Sequence, residues 1–355
     1  NIGSQLVTLT VTDLAGNSST CISTVVVGPT VTANAGPNIT QNGKTFTMAA
    51  TLGANETGTW SVVSPSGFAL SNIANVSSPT TTVTVNAPNT PITLLWTVTN
   101  TSSGCSASSQ VVLTRTANVL SVKAFLAGPL NGSLMNDNLR SLGVIPTTSP
   151  YGDGATTSSS VFTVTGNNAI VDWVQVQLRS SSSSVVASIS ALIQRDGDIV
   201  GVDGVSPLEL SVPDGNYYVD VLHRNHLGVM TSSTRSLSNG TGSSVNFTSS
   251  ATSTYGANAQ KLIGSVTAMY AGDASGDKQV KYAGTGSDNF TILAAIILGA
   301  PGNNQSSVLS GVYNNADVNM DGVVRYAGTG TDRFVILGTV ISNGGNASTV
   351  IVQQF

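Results

Sequence analysis

Residues 273–294 read DASGDKQVKYAGTGSDNFTILA, and residues 317–338 read DVNMDGVVRYAGTGTDRFVILG. The offset is 44 residues throughout. Each copy opens with oxygen-bearing side chains at alternate positions, Asp273, Ser275 and Asp277 in the first and Asp317, Asn319 and Asp321 in the second. Each then passes through Tyr-Ala-Gly-Thr-Gly to an Asp that starts an apolar run. Those runs, Asp288–Leu298 and Asp332–Ile341, are the good helix candidates of the chain, and Asp suits a helix N-cap. Two copies imply a paired module.

Alternating Asp, Asn and Ser in a glycine-bearing loop ahead of a helix is the pattern by which an EF-hand-like loop wraps oxygens around calcium. The alternative is a polar turn with helix caps and no metal. The pattern says what holds this end of the chain together and leaves function open.

Composition narrows the class. Only 8% of the 355 residues are charged, against about 25% in an average soluble domain. Ser, Thr, Asn and Gly must therefore cover the surface, as in many secreted β-rich surface proteins. Apolar residues make up 40%, enough for packed cores. A net charge of −4 supplies no field to attract nucleic acid or an anionic membrane. No apolar stretch approaches the roughly 20 residues of a membrane-spanning helix. The opening NIGSQLVTLTVTD reads as mid-domain strand rather than a signal peptide, so we expect processing upstream or a longer parent chain. The two cysteines, Cys21 and Cys105, fit an internal bridge, an upstream partner for Cys21, or two free thiols.

The pattern along the chain predicts a mainly β fold of tandem β-sandwich, immunoglobulin-like domains, followed by a small α-containing calcium module. Residues 1–28 give a hairpin, Gln5–Thr12 and Thr20–Val27, that is marginal alone. Residues 29–116 give a sandwich with strands at Thr45–Thr51, Gly58–Val63, Thr80–Val85, Ile92–Thr99 and Ser109–Thr114. Its Trp60 and Trp96 fit the inter-sheet core, with carbohydrate stacking as the alternative. Residues 117–250 give a larger sandwich, with strands at Val119–Leu126, Ser160–Val164, Ala169–Leu178, Val185–Gln194, Leu208–Val212, Tyr217–Leu222 and Ser244–Phe247. Met135–Leu142 reads as a short helical turn and Ser180–Ser184 as a hairpin tip. Residues 251–262 are a polar connector and 263–355 hold the repeat. The terminal Ser348–Phe355 reads as a strand with no partner in its own module.

These segments together carry a resemblance. NIGSQLVTLTVTDLAGNSSTCISTVVV resembles the end of an HYR-like, immunoglobulin-type module of large Bacteroidota-type surface proteins. AGPN, GTWSVVSPSG and LLWTVTNTSSGCSASSQVVLT resemble the PKD-like modules that accompany it. GDASGDKQVKYAG and ADVNMDGVVRYAG are similar to a dockerin-type calcium repeat. The resemblance implies a secreted, cell-surface protein of adhesive or filamentous kind, with type IX secretion as the usual route. No type IX sorting domain is visible. PKD-like modules usually carry a cysteine soon after AGP, and Ile39–Thr45 has none, so Cys105 lacks its customary partner. In the HYR-like pattern, the partner of Cys21 would precede Asn1.

The dockerin resemblance implies two ligand sets. The first is Asp273, Ser275, Asp277, the carbonyl of Gln279, and Asp288. The second is Asp317, Asn319, Asp321, the carbonyl of Val323, and Asp332. Two departures stand out. The closing Asp follows the first ligand by 15 residues, against roughly 11 in a 12-residue EF-hand loop, so the Tyr-Ala-Gly-Thr-Gly insert must bulge outward. Lys278 also replaces the turn glycine that Gly322 keeps, so we expect the second site to be the tighter.

Asp196, Asp198 and Asp203 suit either a cation or Asp-Gly turns. His223 and His226, three apart in a continuing strand, would point to different faces and suit structural hydrogen bonding. No nucleophile, phosphate-loop or zinc-protease motif appears, so we expect no enzyme. The expected function is structural: a subunit of an extracellular filament or stalk, homo-oligomeric through exchange of a terminal strand. The alternative is an adhesin that recognises glycan or a surface protein.

Overall fold

The computed structural model describes residues 3–28, 30–238 and 242–355. Contacts divide the chain into two compact units, Asn1–Ala117 and Asn118–Phe355. The fold is mainly β.

The first unit opens on a hairpin of β1 (Gly3–Thr12) and β2 (Ser18–Val27), registered from Gly3↔Val27 to Thr12↔Ser18. Asp13 builds its turn by accepting the N–H groups of Ala15 and Asn17 at 2.9 Å each. Strand alternation puts Leu6 on one face and Leu9 on the other, yet they are 73% and 64% exposed. This two-stranded sheet pairs with no other described strand.

The rest of the unit is a small sandwich. Its larger sheet runs β3 (Ile39–Gln41), β8 (Ser106–Arg115), β7 (Ile92–Asn100), β5 (Glu56–Ser64). A second sheet pairs β4 (Thr45–Thr47) with β6 (Thr82–Thr84). Ile92, Leu94, Trp96 and Val98 alternate inward from β7. Trp60 and Trp96 sit opposite each other in register, ring centroids 4.8 Å apart. Their indole N–H groups donate to the carbonyls of Ser78 and Thr51. At 1% and 0% exposure both rings are core, and neither can stack on a sugar. Cys21 and Cys105 are free and exposed.

The second unit is built on a nine-stranded sheet. Its strands are β9 (Asn118–Lys123), β12 (Ile170–Ser181), β13 (Ser184–Gln194), β14 (Asp198–Val200), β15 (Leu208–Leu210), β16 (Gly215–His223), β17 (His226–Met230), β18 (Arg235–Leu237) and β19 (Ser243–Asn246). The spatial order is β15-β9-β14-β13-β12-β16-β17, with β18 on β16 and β19 parallel to β9. Two small hairpins flank it: β10 (Leu130–Asn131) with β11 (Leu134–Met135), and β20 (Lys261–Ile263) with β21 (Val266–Ala268). The serine run is the tip between β12 and β13. A short α1 (Asn138–Ser141) lies within the predicted helical turn.

One predicted strand is overturned. Ser159–Thr163 is a 3-10 turn, not the strand Ser160–Val164. Ser158 caps it by accepting the Ser160 N–H, the local competition by which serine diverts backbone from a ladder.

The repeat forms a separate core within this unit. It comprises β22 (Gln279–Lys281), α2 (Asp288–Gly299), β23 (Val308–Ser310), β24 (Val323–Arg325), α3 (Asp332–Gly344) and β25 (Val350–Val352). Val280, Ile292 and Ile296 pack with Val324, Ile336 and Val340, their counterparts 44 residues on. The terminal strand has a home, contrary to the sequence reading. β25 pairs antiparallel with β22, Gln279↔Val352 to Lys281↔Val350, and Ile351 is buried in the repeat core. Beyond it, Gln353 Oε1 accepts the Gly228 N–H at 2.8 Å, and the Phe355 ring lies 5.0 Å from the Arg179 guanidinium. The partner strand lies about 70 residues upstream, beyond the reach of a local pattern.

Candidate metal centre

The opening turn of each loop, ahead of the Tyr-Ala-Gly-Thr-Gly segment, places two backbone positions in the left-handed region. In the first loop these are Gly276 (φ 74°) and Lys278 (φ 66°), and in the second Met320 (φ 61°) and Gly322 (φ 82°). Glycine thus serves one of the two positions in each loop, and not the same one. The conformation curls the chain so that successive N–H groups point inward at a carboxylate. Asp273 accepts the N–H groups of Gly276, Asp277 and Lys278 at 2.8–3.1 Å. Asp317 accepts those of Asp321 and Gly322 at 3.1 and 2.8 Å. Asp277 accepts the Gln279 N–H and Asp321 the Val323 N–H.

The closing carboxylates complete the wiring. Asp288 accepts the N–H of Ser275 at 3.0 Å and of Lys281 at 2.8 Å. Asp332 accepts those of Val318 and Arg325 at 2.9 and 2.8 Å. Here the structure corrects the predicted helix caps. The N-cap residues are Ser287 and Thr331, and Asp288 and Asp332 are the first helical residues. Their carboxylates turn back into the loops, where amides satisfy them, instead of capping the helices.

The carbonyls just before those predicted at the seventh position are engaged by backbone N–H groups. Lys278 O accepts the Gln353 N–H, and Gly322 O accepts the Gly311 N–H. Antiparallel ladders alternate hydrogen-bonded and non-bonded pairs. The next residues, Gln279 and Val323, therefore turn their C=O groups away from β25 and β23 and leave them free of the ladder.

The two loops differ in how they gather charge. Ligand oxygens of Asp273, Asp277 and Asp288 all lie within 4.8 Å of one another, with Asp273 and Asp288 buried and Asp277 exposed. Among the described residues this is the acidic group that could hold a metal ion. Two ionised carboxylates at that separation repel by roughly 3 kcal/mol at an effective dielectric of about 20. Burial, then the charges of Asp288 and Asp277, pushes the Asp273 carboxyl up to about 7, against the pull of the loop amides. Burial also raises Asp288. In the second loop burial pushes Asp317 and Asp332 up to about 7. Asp321, however, turns to Arg325 at 3.6 Å and to the Asn319 side-chain amide at 3.2 Å. Hard oxygen donors, buried and short of positive charge, are the donor set that a divalent cation takes.

The other candidates are used structurally. Asp196 accepts the Asp198 N–H, Asp198 pairs with Lys123 at 3.0 Å, and Asp203 accepts the N–H groups of Val205 and Ser206. His223 and His226 do not point apart. The strand turns at Arg224-Asn225, making the two histidines cross-strand partners with ring centroids 4.8 Å apart. His226 Nε2 accepts the Gly128 N–H, and His223 Nε2 lies 3.2 Å from Asp172. Burial keeps both imidazoles below their usual pKa. Burial works against the Asp172 charge, but Arg224 and the His223 and Tyr313 hydrogen bonds hold its carboxyl at about 2. The side chains of His223 and Asp172 are fully buried, so this acid–base pair meets no substrate.

No family model matches the chain, and no curated protein matches it. Solved structures to which the chain is similar superpose on it poorly overall, as three of them show. The EC1-2 fragment of chicken VE-cadherin is 8% identical, covering 52% of this chain and 86% of its own, with a TM-score of 0.18. A quinonprotein alcohol dehydrogenase-like protein from Bacteroides thetaiotaomicron is 13% identical, covering 56% and 46%, with a TM-score of 0.17. A three-immunoglobulin segment of titin is 12% identical, covering 68% and 74%, with a TM-score of 0.17. No described helix is long and apolar enough to cross a membrane.

Proposed function

We propose that this chain is an extracellular adhesion module whose C-terminal loop pair takes up calcium and is held rigid by it. One observation carries the calcium reading: the same amide-to-carboxylate wiring recurs in both loops around buried carboxylates, Asp273 and Asp288 in the first and Asp317 and Asp332 in the second. Asp273, Ser275, Asp277, Gln279 and Asp288 would hold one ion, and Asp317, Asn319, Asp321, Val323 and Asp332 the other. Calcium bound there would supply the missing positive charge and fix the loops against α2 and α3. The test is calorimetric titration of chelator-treated protein, with melting followed in parallel. We expect saturable uptake and a rise in melting temperature. Absence of both would sink the reading.

Adhesion is favoured over a filament built by strand exchange, because β25 already pairs with β22 of its own chain. Phe290 and Phe334, 44 residues apart, are 66% and 49% exposed at matching positions of α2 and α3. They are the side chains we assign to a glycan or protein partner. Binding on a glycan array or to surface proteins that persists in Phe290→Ala/Phe334→Ala would remove them from that role. The filament reading keeps one support, the apolar rows that the β1–β2 hairpin exposes on both faces. Electron microscopy of the assembled protein decides between the two.

A further inference from the structure

The two-residue tip of the β16–β17 hairpin, Arg224-Asn225, touches both loops at once. The backbone carbonyl of Asn225 accepts the N–H of Gly272 at 3.1 Å, the residue immediately before Asp273. Its side-chain amide donates to the carbonyls of Asn315 and Asp317 at 3.1 and 2.8 Å, and Asp317 is the first ligand of the second loop. Asn225 is fully buried, and His226 Nδ1 holds its amide oxygen at 2.8 Å. Arg224 donates from Nε to Asp172 at 2.9 Å and from Nη1 to the Asn314 carbonyl. Tyr313, over which Arg224 stacks at 4.3 Å, donates to the other oxygen of Asp172 at 2.7 Å. Asp172 lies on β12 of the nine-stranded sheet.

A surface turn has no need of these bonds. The bond to Asp317 joins two buried residues, where a donor or acceptor left unsatisfied is costly. The tip meets the chain at the same point of both loops, the entry to the first ligand. The wiring around Asp273 and Asp317 starts from that point, so a shift of the tip displaces both first ligands together.

We propose that Asn225 is a positioning residue for both loops, and that cation uptake is thereby coupled to the β16–β17 hairpin and, through Asp172, to the large sheet. The proposal rests on the calcium reading above. Coupling of this kind is reciprocal: what tightens the hairpin tightens both sites, and ion binding tightens the hairpin. Asn225→Asp keeps the shape and the backbone carbonyl but removes the two donors to Asn315 and Asp317.

The experiment compares wild type, Asn225→Asp and a sheet control, Ile189→Ala, by calcium titration well below the melting temperature. Hydrogen exchange across Val219–Met230 is followed with and without calcium. We expect Asn225→Asp to weaken uptake about tenfold or more in both loops, with Ile189→Ala unchanged. In wild type, calcium should slow exchange across Val219–Met230. Should Asn225→Asp fail to fold, the exchange measurement on wild type stands alone. Wild-type uptake with no change in hairpin exchange overturns the coupling and leaves the calcium reading intact. So does a folded Asn225→Asp whose affinities match the control. A wild type that takes up no calcium overturns both.

Discussion

The two loops share a sequence pattern and a hydrogen-bond pattern, yet they stand in different surroundings. The first is open: Ser275, Gly276, Asp277 and Lys278 are exposed, and three carboxylates converge there. The second is packed: Met320 is buried in the core of the large sheet. A Cβ on Gly322 would come within 2.2 Å of Leu142 Cδ1. Arg325 also draws on Asp321. The same motif is thus an exposed, charge-concentrated loop in one copy and a docking element in the other. Glycine at 322 favoured the second loop as the tighter site. The convergence of charge favours the first.

The largest effect should come from pH in metal-free protein. Folding raises Asp273, Asp317 and Asp332 from 3.8 to about 7. Between those values the unfolded chain has already lost protons that the folded chain keeps. Stability must therefore fall as pH rises from about 4 to 7. Calcium should reverse the trend, because its ligands bind as carboxylates. Denaturant midpoints across that range, with and without calcium, check this, and a flat metal-free profile would show that burial leaves these groups ionised.

Next in size, Asp277→Ala should reduce first-loop affinity on the order of a hundredfold, about 2.7 kcal/mol. Asp321→Ala should have a smaller effect on the second, since Asp321 already shares its charge with Arg325. Titration of the two variants compares them directly, and equal losses would make the loops equivalent as sites.

The glycines probe packing rather than charge. Gly322→Ala should destabilise by about 2–3 kcal/mol, through a positive φ and overlap with Leu142. Gly276→Ala has the same backbone problem with nothing near its Cβ, so about 1 kcal/mol is expected. Lys278→Gly should stabilise by less than 1 kcal/mol. Urea denaturation ranks the three. Gly276→Ala as costly as Gly322→Ala would mean that the second loop is no more tightly packed than the first.

Much of this was legible from residue order. The 44-residue repeat specified two loops, two helices and the carboxylates that line them, because those carboxylates lie close in sequence and local geometry brings them together. Alternation in the predicted strand Ile92–Thr99 fits Trp96 inside the sandwich, because a strand's two-residue period admits one burial pattern on one buried face. Local pattern misled where a side chain had two uses. Asp288 reads equally well as a cap or a ligand, and Ser160, read as the start of a strand, lies in a 3-10 turn that Ser158 caps. Long-range pairing was out of reach. Nothing near Val350–Val352 announces Gln279–Lys281 as its partner, and nothing in LHRNHLG announces that the chain reverses at Arg224-Asn225. That turn made two histidines neighbours and aimed Asn225 at both loops. Tertiary structure decided these points because backbone pairing and buried hydrogen bonds are made with groups tens of residues away, and their geometry exists only once the sheet and the loops are packed together.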